Sequence, residues 1–471
     1  MPPFPIINLA FAIQPNIFAH QTNASQYSHH NMAPKAYILE LPTEMLVQIA
    51  DSFKTGHDLL AFRLTCQSLE KASHDTFATK YFAARTHLFT RYGLQALADI
   101  AKHPSLGRKV KKIEIVVKEL CRPLFDDLEP VFDVGPSFGS IPHPVPTNQQ
   151  NLAAAEAVAE RAAKEKQRRV NRETEADALT DESQVSTTLN KIFTSLASVG
   201  ASLELDVNGR RRESYYDTSL PYGTKNLLAL IGNDSTENSL HDGKLDYAFR
   251  SILTAMARTG VKCHAFTVGE IWEGDLRSPA FEVANAPTNK LQLCLGNLTK
   301  LRLYFGYQLP LATVAEEAVF VKFAQACVSL EELHLGWNAY EAGPVWRRQD
   351  ALVVIAGAFS SRRLRSICLS TLCADTHSYI ELLEARRQSL KKLTLDHPHV
   401  SPSQCWSTIL RWILQHGQLD YLKLDTLALQ DPWAVMGDDD NKETFVLEGD
   451  VEGVKEQLRV LLPKMSYLNY D

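Results

Sequence analysis

The nine residues Leu330-Glu-Glu-Leu333-His-Leu335-Gly-Trp-Asn338 carry the pattern on which the rest of the chain depends. Leucine stands at positions 1, 4 and 6 of this nonamer, and asparagine ends it. Leu333 and Leu335 point the same way and the residue between them points the other way, so the pattern predicts a short strand with one buried face. Four more copies of the first six positions, with successive starts 26 to 34 residues apart, are Leu298–Leu303, Leu364–Leu369, Leu390–Leu395 and Leu419–Leu424.

A strand of this kind cannot bury its apolar face alone and needs a neighbour beside it. Stretches with helical periodicity separate the copies, so we expect an α/β fold in which strand and helix alternate. The spacing L-x-x-L-x-L-x-x-N resembles the leucine-rich repeat. That resemblance implies an irregular solenoid of strand–helix units with a parallel sheet.

Size and composition exclude several classes of protein. The chain has 471 residues, 45% of them hydrophobic and 22% charged, which argues against wholesale disorder. Its net charge of −6 gives no electrostatic reason to expect binding to nucleic acid or to a membrane. Its eight cysteines form no C-x-x-C pair, so we expect free thiols and a reducing compartment, the cytoplasm or the nucleus or both.

Residues 1–36 are expected to form a disordered leader. The segment 4–13 is apolar, but no Lys or Arg occurs before Lys35, so the positive region of a signal peptide is missing. A membrane span needs about 20 apolar residues, and this run ends much earlier at Gln14 and Pro15. Met32 remains an alternative start.

Three short helices are predicted within residues 37–82. Pro42 suits the beginning of the first helix, and Gly56 is expected to end it. Asp58 is expected to cap the second helix, and the third follows from about Ser68. So few residues cannot enclose all of their apolar side chains, which leaves apolar surface for a partner.

These helices resemble the F-box, the module that docks substrate receptors onto the Skp adaptor of cullin-based ubiquitin ligases. The resemblance lies in Leu41-Pro42-x-Glu44-x-Leu46-x-x-Ile49, in Asp58-Leu59-Leu60 and in Arg63-Leu64-Thr65-Cys66. The chain departs from the family at Gln67 and Leu69, where an Arg and then an aromatic residue are usual. The resemblance implies an adaptor-binding face made of Leu41, Pro42, Glu44, Leu46, Ile49, Leu59, Leu60 and Leu64. The alternative is that these helices only cap the repeats.

The remaining chain is divided by composition. Residues 83–120 are expected to hold a helix and the first repeat strand. A Pro-rich and then Ala-rich, charged insertion follows at 121–185. The repeats then occupy 186–471, interrupted by an acidic loop near 431–450.

One motif could indicate catalysis. Gly135-Pro-Ser137-Phe-Gly139 matches the G-x-S-x-G nucleophile elbow, which requires a helix directly after the serine. The segment 141–146 contains three alternating prolines and forbids that helix. We therefore predict a non-enzyme with no catalytic residue, no cofactor and no metal site, and keep a hydrolase as a minor alternative.

Binding is the activity that the repeats predict. In such an array the residues between the apolar anchors face an open surface, where large amphipathic rings can act as interface anchors. The predicted target-binding residues are Tyr304, His334, Trp337, Asp396 and Lys423. Packing of the aromatic rings under a neighbouring loop is an equal alternative. F-box followed by leucine-rich repeats implies a substrate receptor of a cullin-based (SCF-type) ubiquitin ligase, with a Skp-type adaptor, a cullin and an unknown protein target as partners. The alternative is an interaction scaffold outside any ligase.

Overall fold

The fold is that of a computed structural model. It describes residues 37–117, 181–208, 244–269, 276–283, 288–305, 313–337, 351–371, 373–400, 406–425 and 444–464, with a few positions between 159 and 170. The chain divides into two compact units, Met1–His74 and Asp75–Asp471. The predicted leader 1–36 and most of the predicted insertion 121–185 lie outside the described residues.

The first unit, here the helical unit, contains α1 (Thr43–Ser52), α2 (Gly56–Thr65) and the start of α3 (Gln67–Phe82). All three predicted helices are confirmed. The predicted cap of α2 was wrong, because the Thr55 hydroxyl accepts the Asp58 amide at 3.1 Å and is the N-cap. Asp58 lies inside the first turn instead, where its carboxylate suits the positive end of the helix dipole.

A small apolar core holds the helical unit together. It is centred on Leu46, Leu69 and Ala72, which are buried. The partly buried side chains packed against it are Leu41, Ile49, Phe62 and Cys66. A core of this size leaves the outer sides of α1 and α2 exposed.

The second unit, here the sheet unit, alternates strands and helices. Its strands are β1 Ala84–Leu88, β2 Lys112–Val116, β3 Ser202–Asn208, β4 Lys262–Val268, β5 Lys300–Phe305, β6 Glu332–Trp337, β7 Ser366–Ser370, β8 Cys373–Ala374, β9 Lys392–Asp396, β10 His399–Val400, β11 Tyr421–Asp425 and β12 Thr444–Glu448. Its helices are α4 Arg91–Lys102, α5 Glu182–Ser198, α6 Lys244–Thr259, α7 Thr288–Leu295, α8 Val314–Ala326, α9 Ala351–Ala358, α10 Thr376–Arg386, α11 Trp406–His416 and α12 Val451–Lys464.

Ten of the strands form one sheet in which each lies beside its predecessor. The order is β1-β2-β3-β4-β5-β6-β7-β9-β11-β12, while β8 and β10 form a separate pair. Every neighbouring pair in the large sheet is parallel except the last, β11 with β12. Parallel neighbours need crossover connections, which the intervening helices supply. The predicted α/β class is confirmed.

Backbone hydrogen bonds repeat from one copy of the pattern to the next. The carbonyl of Thr299, at position 2 of its copy, accepts the amides of Glu331 and Glu332 at 2.9 and 2.8 Å. The carbonyls of Glu331, Arg365 and Lys391 each accept two successive amides of the following copy in the same way. Equal positions in the pattern therefore occupy equal positions in the sheet.

The main core lies between the sheet and the helices. Leu333 and Leu335 of β6 are buried in it, as the alternation predicts. Aromatic side chains from several helices fill the space between copies, and Phe281 packs against Phe320 and Phe323 with ring centroids 5.2 and 5.1 Å apart. The helices thus cover one face of the sheet, and the opposite face carries the residues that alternate with the leucines.

Two strands of the large sheet were not predicted. β1 precedes the expected first strand and pairs with β2. β12 lies inside the stretch 431–450, so the prediction of an acidic loop there was wrong for its last part. Leu447 of β12 is buried in the main core. The acidic residues before β12 dominate the composition of this stretch. The short alternation Thr444-Phe-Val-Leu-Glu448 was therefore not recognised as a strand.

The insertion boundary predicted at residue 185 also needs correction. α5 begins at Glu182, and the Asp181 carboxylate caps it by accepting the amides of Ser183 and Gln184 at 3.0 and 3.1 Å.

A chain lacking 122–180 is therefore expected to keep the melting temperature of the wild type within about 2 °C, since this segment supplies no copy of the repeat pattern.

A matched deletion of 122–184 removes the Asp181 cap and the first turn of α5 as well. We expect it to cost about 1 kcal/mol or more of additional stability. Calorimetry on the two deletions checks this prediction. A large loss in the shorter deletion would mean that the insertion packs on the sheet unit.

Candidate functional site

The predicted adaptor residues differ in how much of each side chain is exposed. Pro42 and Glu44 are exposed, and Leu64 is 74% exposed. Leu41, Ile49 and Leu60 are partly buried. An exposed leucine of this kind on a short helix is apolar surface without a partner in the structure described.

Two members of the predicted face are not accessible. Leu46 is buried in the core of the helical unit, and Leu59 is fully buried. Their inclusion in an adaptor-contacting face was wrong, because a side chain committed to the interior cannot also contact a partner. The sequence could not separate them, since apolar residues on both sides of α1 and α2 satisfy the same motif.

Met45 was missed by the sequence analysis. It is 47% exposed and lies three residues after Pro42 on the outer side of α1, while Leu46 and Ala50 face inward. The helical period of 3.6 residues, applied to the core residues alone, would have found it. Met45 joins Pro42, Leu64 and the exposed Ile38 and Leu39 among the apolar side chains that the helical unit offers.

The second candidate site is the open face of the sheet, meaning the residues that alternate with the buried ones on β2 to β12. Two rows cross neighbouring strands in register. The first row is Arg302, His334, Cys368, Thr394 and Lys423. The second row is Tyr304, Gly336, Ser370, Asp396, Asp425 and Thr444.

Hydrogen bonds connect these rows over four strands. The His334 ring lies 3.3 Å from the Tyr304 hydroxyl through Nδ1 and 2.8 Å from the Ser370 hydroxyl through Nε2. Ser370 also bonds to Asp396, whose Oδ1 lies 2.8 Å from Nδ1 of His397. Each side chain in this hydrogen-bond network is held by a neighbour on the next strand or in the next turn. The network therefore preorganises the surface.

Burial and charge shift the pKa values of these groups. Burial, with the nearby Arg302 guanidinium adding to it, lowers the pKa of His334 to about 4, so its imidazole is neutral at pH 7. Burial raises the pKa of the Cys368 thiol to about 11, which makes it a poor nucleophile. Burial alone would raise the pKa of Asp396, but the hydrogen bond and charge of His397 outweigh it and lower that pKa.

Lys423 and Asp425 continue the open face toward its last strand. The Lys423 ammonium lies 2.6 Å from Oδ2 of Asp425, and the hydrogen bond raises the pKa of Lys423. The Thr444 hydroxyl donates to Oδ1 of Asp425 at 2.7 Å. The predicted target residues His334, Asp396 and Lys423 therefore all lie on this face.

The two predicted aromatic anchors are not exposed there. Trp337 is 2% exposed and packs in the core against Phe305, with ring centroids 5.4 Å apart, so its assignment to the open surface was wrong. It alternates with Leu333 and Leu335 and faces inward as they do. Tyr304 lies on the open face but is only 7% exposed, because its ring occupies the space above Gly336. It is therefore not the exposed anchor that was predicted.

Carboxylates at the other end of the open face were missed by the sequence analysis. Glu114 and Asp206 are register partners on β2 and β3. The Thr86 hydroxyl donates to Glu114 at 2.6 Å, and Lys112 binds Glu204 at 2.5 Å. Burial and the Glu114 charge raise the pKa of Asp206 to about 6. The alternation within Leu203-Glu-Leu-Asp206-Val207 places Asp206 on this face, but nothing in the sequence indicated that Glu114 lies beside it.

Asp206→Asn is expected to stabilise the protein at pH 7 and not at pH 4. The folded pKa of Asp206, about 6, lies above its ordinary value of 3.8, so ionisation disfavours the folded state as pH rises through this window. The gain at pH 7 should be about 1 to 2 kcal/mol after allowance for partial exposure. Urea unfolding at both pH values measures it. A difference that does not change with pH would mean that the carboxylate is not strained by burial.

No family model matches the chain, and no curated protein matches it. Among solved structures it is similar to exo-beta-1,4-mannosidase Op5Man5 from Opitutaceae bacterium strain TAV5, with 9% identity and a TM-score of 0.17. The match covers 81% of this chain and 60% of that one, so the chain spans less than two thirds of that protein. A TM-score this low does not define a common fold and carries no functional argument.

The described residues also bear on three other features: membrane-spanning helices, metal sites and disulfides. Within the described residues, no helix is long and apolar enough to cross a membrane. Those residues also contain no group of three or more His, Cys, Asp or Glu side chains that could hold a metal ion. Five cysteines in the described part are free thiols. The G-x-S-x-G segment with Ser137 lies outside the described residues.

Proposed function

We propose that this chain is the substrate-recognition subunit of a cullin-based ubiquitin ligase. In this proposal the helical unit binds a Skp-type adaptor, as an F-box does, and the open face of the sheet binds a protein target, as a leucine-rich-repeat solenoid does. The protein is then not itself an enzyme. The observation that carries the proposal is the L-P-x-E-x-L-x-x-I motif from Leu41 to Ile49, on a short helix that leaves apolar side chains exposed.

The adaptor half is supported by what α1 and α2 expose. Met45 and Leu64 are large apolar side chains, 47% and 74% exposed, and both lie on helices whose other side is committed to a core. An apolar side chain removed from water contributes about 25 cal/mol per Å², so each can contribute about 1.5 to 3 kcal/mol to an interface. Pro42 adds rigid apolar surface at the start of α1.

The target half is supported by the open face. Its polar side chains are fixed by hydrogen bonds between strands. Binding of a partner therefore loses little further side-chain conformational entropy. Its charges are mixed, with Arg302 and Lys423 near Asp396 and Asp425 and the acidic pair of β2 and β3 at the far end. Such an arrangement favours a protein partner whose charges are complementary to those of the open face.

The double variant Met45→Glu, Leu64→Glu is expected to lose adaptor binding by about 100-fold or more, since each apolar contact accounts for at least tenfold. Copurification of the co-expressed chain and Skp-type adaptor measures this. These positions serve better than Leu41, which packs against the core of the helical unit and whose removal could unfold it.

Val460→Glu is the matched control. Val460 is a 56% exposed residue of α12 in the sheet unit, so the same chemical change there should leave adaptor binding unaltered. Equal binding by the folded double variant and the wild type would refute the adaptor face. A wild-type chain that binds no adaptor would instead favour the alternative, an interaction scaffold that uses the open face without a ligase.

A further inference from the structure

A cleft of about 500 Å³ opens on the helical side of the sheet unit, between α5, α6 and α8. This volume is typical of sites for small organic ligands. Its floor is apolar and consists of Phe281, Val283, Leu291 and Val319. Phe281 and Leu291 belong to the main core, so the floor is held rigidly by residues that stabilise the fold.

One wall of the cleft is the outer side of α6. Tyr247, Ser251, Thr254 and Arg258 follow one another at spacings of three or four residues and so share one side of the helix. Tyr247 and Arg258 are about 16 Å apart along the helix axis at 1.5 Å per residue. The cleft is therefore elongated, and the two residues belong to opposite ends of it.

The end with Arg258 is suited to an anion. Its guanidinium donates to the Ser186 hydroxyl at 3.0 Å, its one hydrogen bond within the described part of the chain, which leaves most of its five N–H donors for a ligand. Lys322 of α8 also lines the cleft. Arg250, by contrast, is paired with Glu182 at 3.5 Å. The lining as a whole carries three basic residues, Arg250, Arg258 and Lys322, and two acidic ones, Glu182 and Glu282.

The other end offers a hydroxyl group. The Tyr247 hydroxyl oxygen is buried, and the Ser251 hydroxyl on the same helix interacts with it without forming a well-aligned hydrogen bond. A buried polar group whose hydrogen bonding is incomplete marks a place where a ligand atom can be satisfied. This observation is independent of the charge at the Arg258 end.

We propose that this cleft binds a small, elongated organic phosphate. Its apolar body lies on Phe281, Val283 and Val319, and its phosphate accepts from Arg258, whose planar donors match phosphate oxygens. The volume fits a small molecule rather than a folded partner. The cleft and the open face lie on opposite sides of the sheet, so this site is separate from the proposed target surface.

Titration calorimetry on the isolated chain, without any adaptor, tests the proposal with three probes. We expect 2-naphthyl phosphate to bind saturably with a dissociation constant near or below roughly 1 mM. Inorganic phosphate, which lacks the apolar body, and 2-naphthol, which lacks the anion, should each bind at least about tenfold more weakly. Because no adaptor is used, the outcome is independent of the ligase proposal.

Variants locate the binding. Arg258→Gln should weaken 2-naphthyl phosphate about tenfold and leave 2-naphthol unchanged, since one charge-assisted contact is lost. Ser186→Ala removes the hydroxyl that holds Arg258 but keeps the charge, and should have a smaller effect. Arg459→Gln, a matched change on exposed α12, should have none. No saturable binding of 2-naphthyl phosphate up to roughly 10 mM would overturn the proposal, as would equal effects of Arg258→Gln and Arg459→Gln.

Discussion

Trp337→Ala is expected to lower the free energy of unfolding by about 3 to 5 kcal/mol. The ring is 2% exposed and packs on Phe305, its register partner on the neighbouring strand β5. Truncation removes this contact and opens a cavity between two copies of the pattern, which the surrounding core can fill only partly. Urea unfolding measures the loss.

Trp337→Phe is the control for this prediction. It keeps an aromatic ring against Phe305 and should recover more than half of the lost stability, since the cavity is smaller. A small effect of Trp337→Ala on stability would show that the ring is not part of the core. Such a result would favour a position of Trp337 on the target-binding surface.

Leu335→Ala is expected to cost more stability than His334→Ala, although the residues are neighbours. Leu335 is fully buried among the strands and helices, so its truncation should cost about 2 to 5 kcal/mol. His334 lies on the open face and loses its hydrogen bonds to Tyr304 and Ser370, which contribute about 1 kcal/mol each at most.

The comparison is made by urea unfolding of both variants under identical conditions, with circular dichroism to verify that each is folded. Leu333→Ala should resemble Leu335→Ala, because both leucines face the helices. Equal destabilisation at Leu335 and His334 would contradict the alternation on which the open face is defined. Target binding, once a target is identified, should respond to His334→Ala and not require Leu335 directly.

Much of the secondary structure followed from periodicity. The helical periodicity between copies of the pattern predicts helices there, and Val314–Ala326 and Trp406–His416 are two of them. These segments combine an apolar side with clear ends, so local physics determines them. β12 was not predicted, because five residues beside an acidic run are too few to show a clear alternation of apolar and polar residues. Its antiparallel direction depends on pairing with β11, which the local sequence does not specify.

Less of the candidate sites was predictable. The motif located the helical unit, but Leu46 and Leu59 proved to be interior residues, and the exposed Met45 was overlooked. A motif shows which residue types occur at each position, but it does not show which of those side chains are buried in a small core. The cleft beside α6 had no sequence signal at all, because its lining comes from five separate segments of the chain.

The sequence alone determined the α/β class, the sequential strand–helix alternation and the inward direction of the repeated leucines, since each depends on a period of two or of 3.6 residues within one segment. Only the tertiary structure decided that Trp337 is interior, that Tyr304 is covered above Gly336, and that Glu114 and Asp206 are neighbours. Exposure and pKa depend on atoms brought close by strand pairing across long stretches of chain, and no local pattern contains that information.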